Sequence, residues 1–461
     1  MMKNLFRLFL LVFLFSLFAP ITGLSGYTYA ATQETDSVFV HKLKALPGVV
    51  EVEQLRCDSL FKEKYLVILS QLIDPSNPSV GTFKQRVFVS HLDFSAPVVL
   101  VTEGYIADYA SRPKYVEELA GMFGTNQICV EHRYFGKSVP ENKDWKYLTA
   151  ENAAYDHHHV IELFKTIYSG KWISTGISKG GQTTLIHRTL YPNDVDISVP
   201  YVAPLNFGVE DGRHEKFIDN VSTLSDRKKI REFQLEVLKR RKKLTPLLER
   251  FCAAKHYTFN IPMSEVYDFC VLEYSFAFWQ WGTPIKSIPA LSASDADIFN
   301  HFVSIAPPDY FSNEGIAPTQ AFFVQAASQL GYYGYETKPF SKYLKVKNTH
   351  GYLARLFLPE GYSPKFDSSL SLRCVKFLKE QDPKMIFIYG EYDPWFASAV
   401  EFNGKTNLLR AVVPGGSHLS RIHSLPPEPQ KEVIDRIKCW LNQNATVDVS
   451  LDHLQKADVQ K

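Results

Sequence analysis

An α/β fold with a mostly parallel sheet is the architecture this chain predicts, and three observations carry it. Short apolar runs recur at 98–101, 128–130, 172–177 and 197–202, the pattern of strands buried on both faces. Helical patterns fall between them, over 115–122 and 155–167. Strands alternating with helices argue parallel pairing through crossover helices. At one such junction the turn Gly176-Ile177-Ser178-Lys179-Gly180 separates a strand-like run from a helix-like one.

That turn makes the prediction specific. G-x-S-x-G between a strand and a helix is the nucleophile elbow of an α/β hydrolase. Small residues at Gly176 and Gly180 let the backbone bend sharply and hold the Ser178 hydroxyl clear of the sheet. The N–H of Lys179, at the helix N-terminus, then points at a developing oxyanion. Two further runs, 65–69 and 87–91, read as an antiparallel opening to the sheet. The strand rhythm stops after Pro204. Residues 206–345 carry helix formers and then aromatics, and read as a helical cap inserted into the hydrolase core. There the basic run Lys239 to Lys243 reads as a solvated helix face. Tyr274, Phe276, Phe278, Trp279 and Trp281 read mainly as cap core, with room for some to line an apolar or proline pocket. Strands resume at 385–389 and 410–413, and an amphipathic helix closes at 428–441. The expected organisation is core over 31–205, cap over 206–345 and core again over 346–461.

The first 30 residues read as a secretory signal peptide. Lys3 and Arg7 precede an apolar run from Leu8 to Phe18, and Thr28-Tyr29-Ala30 is a small-x-small cleavage site. The expected product is exported, periplasmic or extracellular, with no membrane span after cleavage near Ala30. The whole chain has 51 Lys and Arg against 49 Asp and Glu; beyond Ala30 the loss of Lys3 and Arg7 leaves 49 of each. A nucleic-acid binder needs a basic surplus to neutralise phosphates, so that class is excluded. The six cysteines, Cys57, Cys129, Cys252, Cys270, Cys374 and Cys439, permit disulfides in an exported protein. Cys252 and Cys270, closest in sequence, are candidates to staple one helical hairpin, whereas Cys129 reads as a buried thiol. No C-x-x-C occurs, which argues against structural zinc. His157-His158-His159 points three ways on a helix and cannot share one ion.

A serine hydroxyl needs a base within hydrogen-bond reach, and that base needs an orienting acid. In α/β hydrolases the chain order is serine, acid, histidine. Asp393, in Gly390-Glu391-Tyr392-Asp393-Pro394-Trp395, follows the strand ending at Tyr389. His418, in Pro414-Gly415-Gly416-Ser417-His418, follows the strand ending at Val413. Ser178, Asp393 and His418 therefore occur in the required order. Glu391 is the rival acid and His423 the rival base. The second oxyanion donor is expected from the loop after the strand at 98–101, where Gly104 allows close approach, so the Gly104–Tyr105 peptide is the candidate. Glu103 beside it opposes an oxyanion unless it serves a cation. A substrate's N-terminal ammonium is one such cation; a salt bridge to Arg133 is the structural alternative.

Several segments resemble serine exopeptidases. Glu131-His132-Arg133-Tyr134-Phe135-Gly136-Lys137-Ser138 resembles the E-H-R-Y-[YF]-G-x-S segment of prolyl carboxypeptidase and dipeptidyl peptidase II. Thr102-Glu103-Gly104-Tyr105-Ile106 resembles their N-E-G-[DE]-I, Asp393-Pro394-Trp395 their D-P-W, and Gly416-Ser417-His418-Leu419 their small-small-His-His-Leu. Where those enzymes have G-G-S-Y-G-G, this chain has Gly176-Ile177-Ser178-Lys179-Gly180-Gly181, which is more similar to the secreted tripeptidyl aminopeptidases. The resemblance implies an α/β-hydrolase core, a helical cap, no cofactor, and di- or tripeptides released from free N-termini. A prolyl carboxypeptidase-like activity and a lipase or esterase on the same fold are the alternatives.

Overall fold

The computed structural model describes residues 37–442. The signal-peptide reading lies outside these residues. A nine-stranded sheet forms the centre, in the order β1-β2-β3-β5-β4-β6-β7-β8-β9. β1 (Val49–Leu55), β2 (Glu63–Leu72) and β3 (Thr82–His91) pair antiparallel. β5 (Asn126–Val130) joins β3 antiparallel and β4 (Val98–Thr102) in parallel. β6 (Trp172–Ile177), β7 (Ile197–Tyr201), β8 (Met385–Gly390) and β9 (Leu408–Val413) continue in parallel. β4, β5 and β7 are buried at every position, which is why apolar runs mark them in the sequence, although β5 opens on the buried polar pair Asn126 and Gln127. β1 was not foreseen. It is an edge strand with no buried position, so it carries no core pattern to read.

Helices α1 (Val38–Lys44), α2 (Glu118–Phe123), α3 (Ala150–Phe164) and α4 (Lys179–Leu190) belong to the first half of the chain. The stretch between β7 and β8 is helical. It runs through α5 (Arg213–Ile218), α6 (Leu224–Lys239), α7 (Arg241–Ala254), α8 (Met263–Gln280), α9 (Asp295–Ile305), α10 (Asn313–Ile316), α11 (Gln320–Gln325) and α12 (Tyr352–Phe357). One hydrophobic cluster gathers Val221 through Phe357 and takes in Trp395 from the loop after β8. α13 (Ser369–Glu380) instead packs on the sheet side with α4, and α14 (Pro427–Leu441) closes the chain.

The Cys252–Cys270 staple does not form. Both are free, buried thiols on α7 and α8, where they fill apolar space as small hydrophobes do. The basic run breaks between α6 and α7: Arg240 pairs with Glu236 at 2.7 Å and Asp295 at 2.9 Å, and Arg241 pairs with Asp268.

A buried charged frame ties the antiparallel end to the parallel end. Arg133 is fully buried and makes two bonds to Asp156, each 2.7 Å. Its remaining donors satisfy the carbonyls of Leu72, Ile73 and Tyr147. Glu131, also fully buried, accepts from Arg86, the Ala107 N–H and the Ser138 hydroxyl. Breaking such a pair leaves an uncompensated charge in low dielectric. Arg133→Met is expected to lower unfolding free energy by about 3–5 kcal/mol, measured by chemical denaturation. Adding Asp156→Leu is expected to restore part of that loss.

Candidate active site

Ser178 sits between β6 and α4 with φ 59° and ψ −121°, a backbone conformation that a non-glycine residue adopts only under constraint. The constraint is visible in the neighbouring glycines. A Cβ on Gly176 would meet the Thr102 carbonyl oxygen at 2.8 Å, and one on Gly180 would meet the same oxygen at 2.9 Å. The Ser178 N–H donates to Tyr201 O at 2.9 Å. The elbow is thus wedged between the ends of β4 and β7.

Asp393 and His418 lie in the loops that leave β8 and β9 at the same, carboxyl, edge of the sheet as Ser178. His418 Nδ1 and Asp393 Oδ2 are 2.6 Å apart, and both residues are buried. A carboxylate at Nδ1 fixes the proton there and leaves the Nε2 lone pair free to accept. Asp393 is itself held: its Oδ1 accepts the Trp395 N–H at 3.1 Å. His418 is held by its backbone N–H, which donates to Gln280 O at the end of α8, 2.9 Å. Gly390 and Gly416 let the two loops touch, since a Cβ on Gly390 would lie 2.6 Å from Gly416 O.

The rivals are occupied elsewhere. Glu391 is exposed and accepts the Gly415 N–H at 2.7 Å, so it shapes the histidine loop. His423 pairs with Glu118 at 2.7 Å. The three consecutive histidines diverge: His158 bonds Asp194, His159 bonds Gln71, and His157 is buried near His187.

The loop of Gly104 and Tyr105, expected to carry the second oxyanion donor, approaches the elbow closely. A Cβ on Gly104 would lie 2.6 Å from the Gly180 nitrogen and 2.8 Å from Lys179 Cβ. The Lys179 side chain was read from sequence only as the carrier of a backbone N–H. It turns inward, is 2% exposed, and donates from Nζ to Gly104 O at 2.6 Å. The rings of Tyr105 and Phe135 flank it, 5.6 and 5.1 Å from Nζ. Burial drives its pKa well below the usual lysine range, and the Glu103 charge opposes that. With its carbonyl taken by Lys179, the Gly104–Tyr105 peptide offers the Tyr105 N–H as donor. The Tyr105 phenol is pushed up by burial, with further upward contributions from Tyr332 and Glu103, while a hydrogen bond to the Ser178 side chain acts the other way.

Glu103 does not meet Arg133, which is committed to Asp156. Its carboxylate accepts the Gly104 N–H at 3.0 Å and the Tyr109 hydroxyl. Of the aromatics on α8, Phe276, Phe278 and Trp279 are buried, whereas Trp281, just past its end, is 54% exposed and stands edge-on 6.1 Å from His418.

A family model described as PS-10 peptidase S37 matches residues 34–451. The chain belongs to this family. It is a serine peptidase with an α/β-hydrolase fold. A prolyl tri/tetrapeptidyl aminopeptidase of Streptomyces mobaraensis is 29% identical over 87% of this chain and 84% of its own. A prolyl carboxy peptidase like protein of Caenorhabditis elegans is 26% identical over 31% of each. Among solved structures, an α/β-hydrolase fold protein from Nakamurella multipartita aligns at 16% identity over 85% of this chain and 99% of its own, TM-score 0.34. Among the described residues, no helix is long and apolar enough to cross a membrane.

Two substitutions separate loop position from base orientation. Gly104→Ala forces the loop off the elbow and is expected to lower kcat by about 10²–10³-fold, the scale of a lost oxyanion donor. Asp393→Asn is expected to lower kcat by about 10³–10⁴-fold by releasing the imidazole tautomer. Steady-state kinetics on one peptide substrate checks both.

Proposed function

We propose that this peptidase removes di- or tripeptides from free polypeptide N-termini through an acyl-enzyme. The observation that carries the reading is the His418–Asp393 pair, 2.6 Å apart, at the sheet edge that also presents the strained Ser178. Ser178 Oγ attacks the scissile carbonyl. His418 Nε2 takes the proton and delivers it to the leaving amine, which departs as the shortened chain. Water then attacks the acyl-enzyme with His418 as base, and Ser178 is regenerated. Asp393 holds the imidazole and stabilises the imidazolium. The Lys179 N–H, at the N-terminus of α4, and the Tyr105 N–H receive the oxyanion.

The cap supports exopeptidase action. The carbonyl at the end of α8 anchors the catalytic histidine's backbone, and Trp281 stands beside its ring. A helical layer so close to the reacting atoms favours chain ends over folded segments. The aminopeptidase name of the Streptomyces relative points the same way. Glu103, beside the oxyanion loop, places negative charge near Lys179 and opposes the effect of burial on it. The leader ending near Ala30 directs export.

Peptides offered with free or acetylated N-termini, with fragments identified by mass, test this reading. Di- or tripeptides released only from free N-termini are expected. Loss of single C-terminal residues, whatever the N-terminus, would instead make the enzyme a carboxypeptidase. Ser178→Ala is expected to reduce turnover by on the order of 10⁴-fold or more with an unchanged melting temperature.

A further inference from the structure

Glu273, on α8, is a buried acid that the chemistry above does not use. It is 7% exposed. Three other buried acids in this protein face an arginine: Glu131 has Arg86, Asp156 has Arg133 and Asp268 has Arg241. Among the described residues no Lys, Arg or His pairs with Glu273. Its oxygens accept only phenols, Tyr333 at 2.9 and 3.1 Å and Tyr335 at 2.7 Å. A buried carboxylate without a cation is expensive to keep.

The surroundings suit a cation. Phe276 stacks on Tyr333 at 3.7 Å and Tyr332 stacks on it at 4.3 Å, while Trp395 lies 5.5 Å away. An aromatic face open to solvent attracts an ammonium; Phe276 and Tyr332 cover Tyr333, so the open aromatic surface is that of Phe276 and Tyr335. The cage is continuous with the catalytic edge, because Trp395 is the residue whose N–H holds Asp393. Tyr335 and Phe276 also line an open cleft, so Glu273, bonded to the Tyr335 phenol, lies one side chain from space that solvent reaches.

Reach discriminates between the two glutamates. Two or three extended residues span roughly 7–10 Å, so the ammonium of a di- or tripeptide sits well away from the scissile carbonyl. Glu103 adjoins the loop of Gly104 itself, where it accepts the Gly104 N–H. Glu273 is linked to Asp393 through the rings of Tyr333 and Trp395.

We propose that Glu273, in its tyrosine cage, is the carboxylate that binds the α-ammonium of the peptide substrate. This rests on the N-terminal exopeptidase reading above. Burial pushes the Glu273 pKa up to about 7. The groups facing it are Tyr333, Tyr335, Tyr310, Tyr332 and Tyr352, with Cys270 on its own helix, and burial raises the pKa of every one. Glu273 is therefore the member of this cluster that titrates near neutrality. Its folded-state pKa lies above the ordinary 4.5, so its contribution to stability is present below pH 4.5 and is lost as pH rises through about 7.

Glu273→Gln keeps an acceptor for both phenols and removes the charge. The full-length enzyme and this variant are compared on a tripeptide anilide with a free amine, on its N-acetyl twin, and on nitrophenyl acetate, which acylates Ser178 without an amine. The expected result is a loss in kcat/KM on the order of 100-fold for the free-amine substrate alone, with the ester burst unchanged. In the wild type, KM for the free-amine substrate falls as pH rises through about 7, and the variant lacks that limb. The variant also loses the decline in melting temperature between pH 4.5 and 7. Wild-type discrimination against the acetylated twin, with the variant cleaving the free amine normally or losing ester and peptide activity alike, overturns the assignment of Glu273 alone. A wild type that treats both twins alike overturns the exopeptidase reading, and this proposal with it.

Discussion

Backbone packed against backbone at the carboxyl ends of β4 and β6 is the constraint on which the rest of the site depends. Gly176, Gly180 and Gly104 each stand where a Cβ would collide with main chain of the other loop. That closeness holds a serine at φ 59° with the Gly104 loop beside it. The contact is short-range and unforgiving, so everything around it acts to keep it rigid. Lys179 pins the far loop from below through Gly104 O. Thr102 caps the arrangement by bonding Thr184 at 2.7 Å.

Two buried charges behind this contact, Arg133 and Glu131, are each matched where they sit, by Asp156 and Arg86. Glu131 secures the Ala107 N–H and, through Ser138 and Arg86, the turn that follows β5. The His132 N–H donates to Tyr105 O at 3.2 Å, so the same segment positions the oxyanion loop. The segment that resembles E-H-R-Y-[YF]-G-x-S is therefore scaffold. Arg133 bonds Asp156 and the carbonyls of Leu72, Ile73 and Tyr147, while Glu131 holds the Ala107 N–H at the end of the Gly104 loop.

How much of this the sequence disclosed follows from range. The elbow was legible because its strand, turn and helix are contiguous, and so was the order of Ser178, Asp393 and His418. The buried parallel strands were legible from continuous apolar runs. The choice between Asp393 and Glu391 became physical only once Glu391 was seen exposed on the Gly415 N–H. The inward turn of Lys179 was hidden because its acceptor lies 75 residues away. Glu273 gave no signal at all: it sits in an aromatic helix, and its phenol partners are 60 and 62 residues downstream. The free state of Cys252 and Cys270 was equally invisible, since spacing says nothing of how two helices rotate against each other.

The central claim is that Ser178 is the nucleophile, activated by the His418–Asp393 pair. The most direct measurement is labelling of the wild-type enzyme with a fluorophosphonate, followed by peptide mapping by mass. The account predicts a single phosphonyl adduct on the peptide that contains Ser178, formed in step with loss of peptidase activity. An adduct on another serine, or full inactivation with Ser178 unmodified, would contradict it.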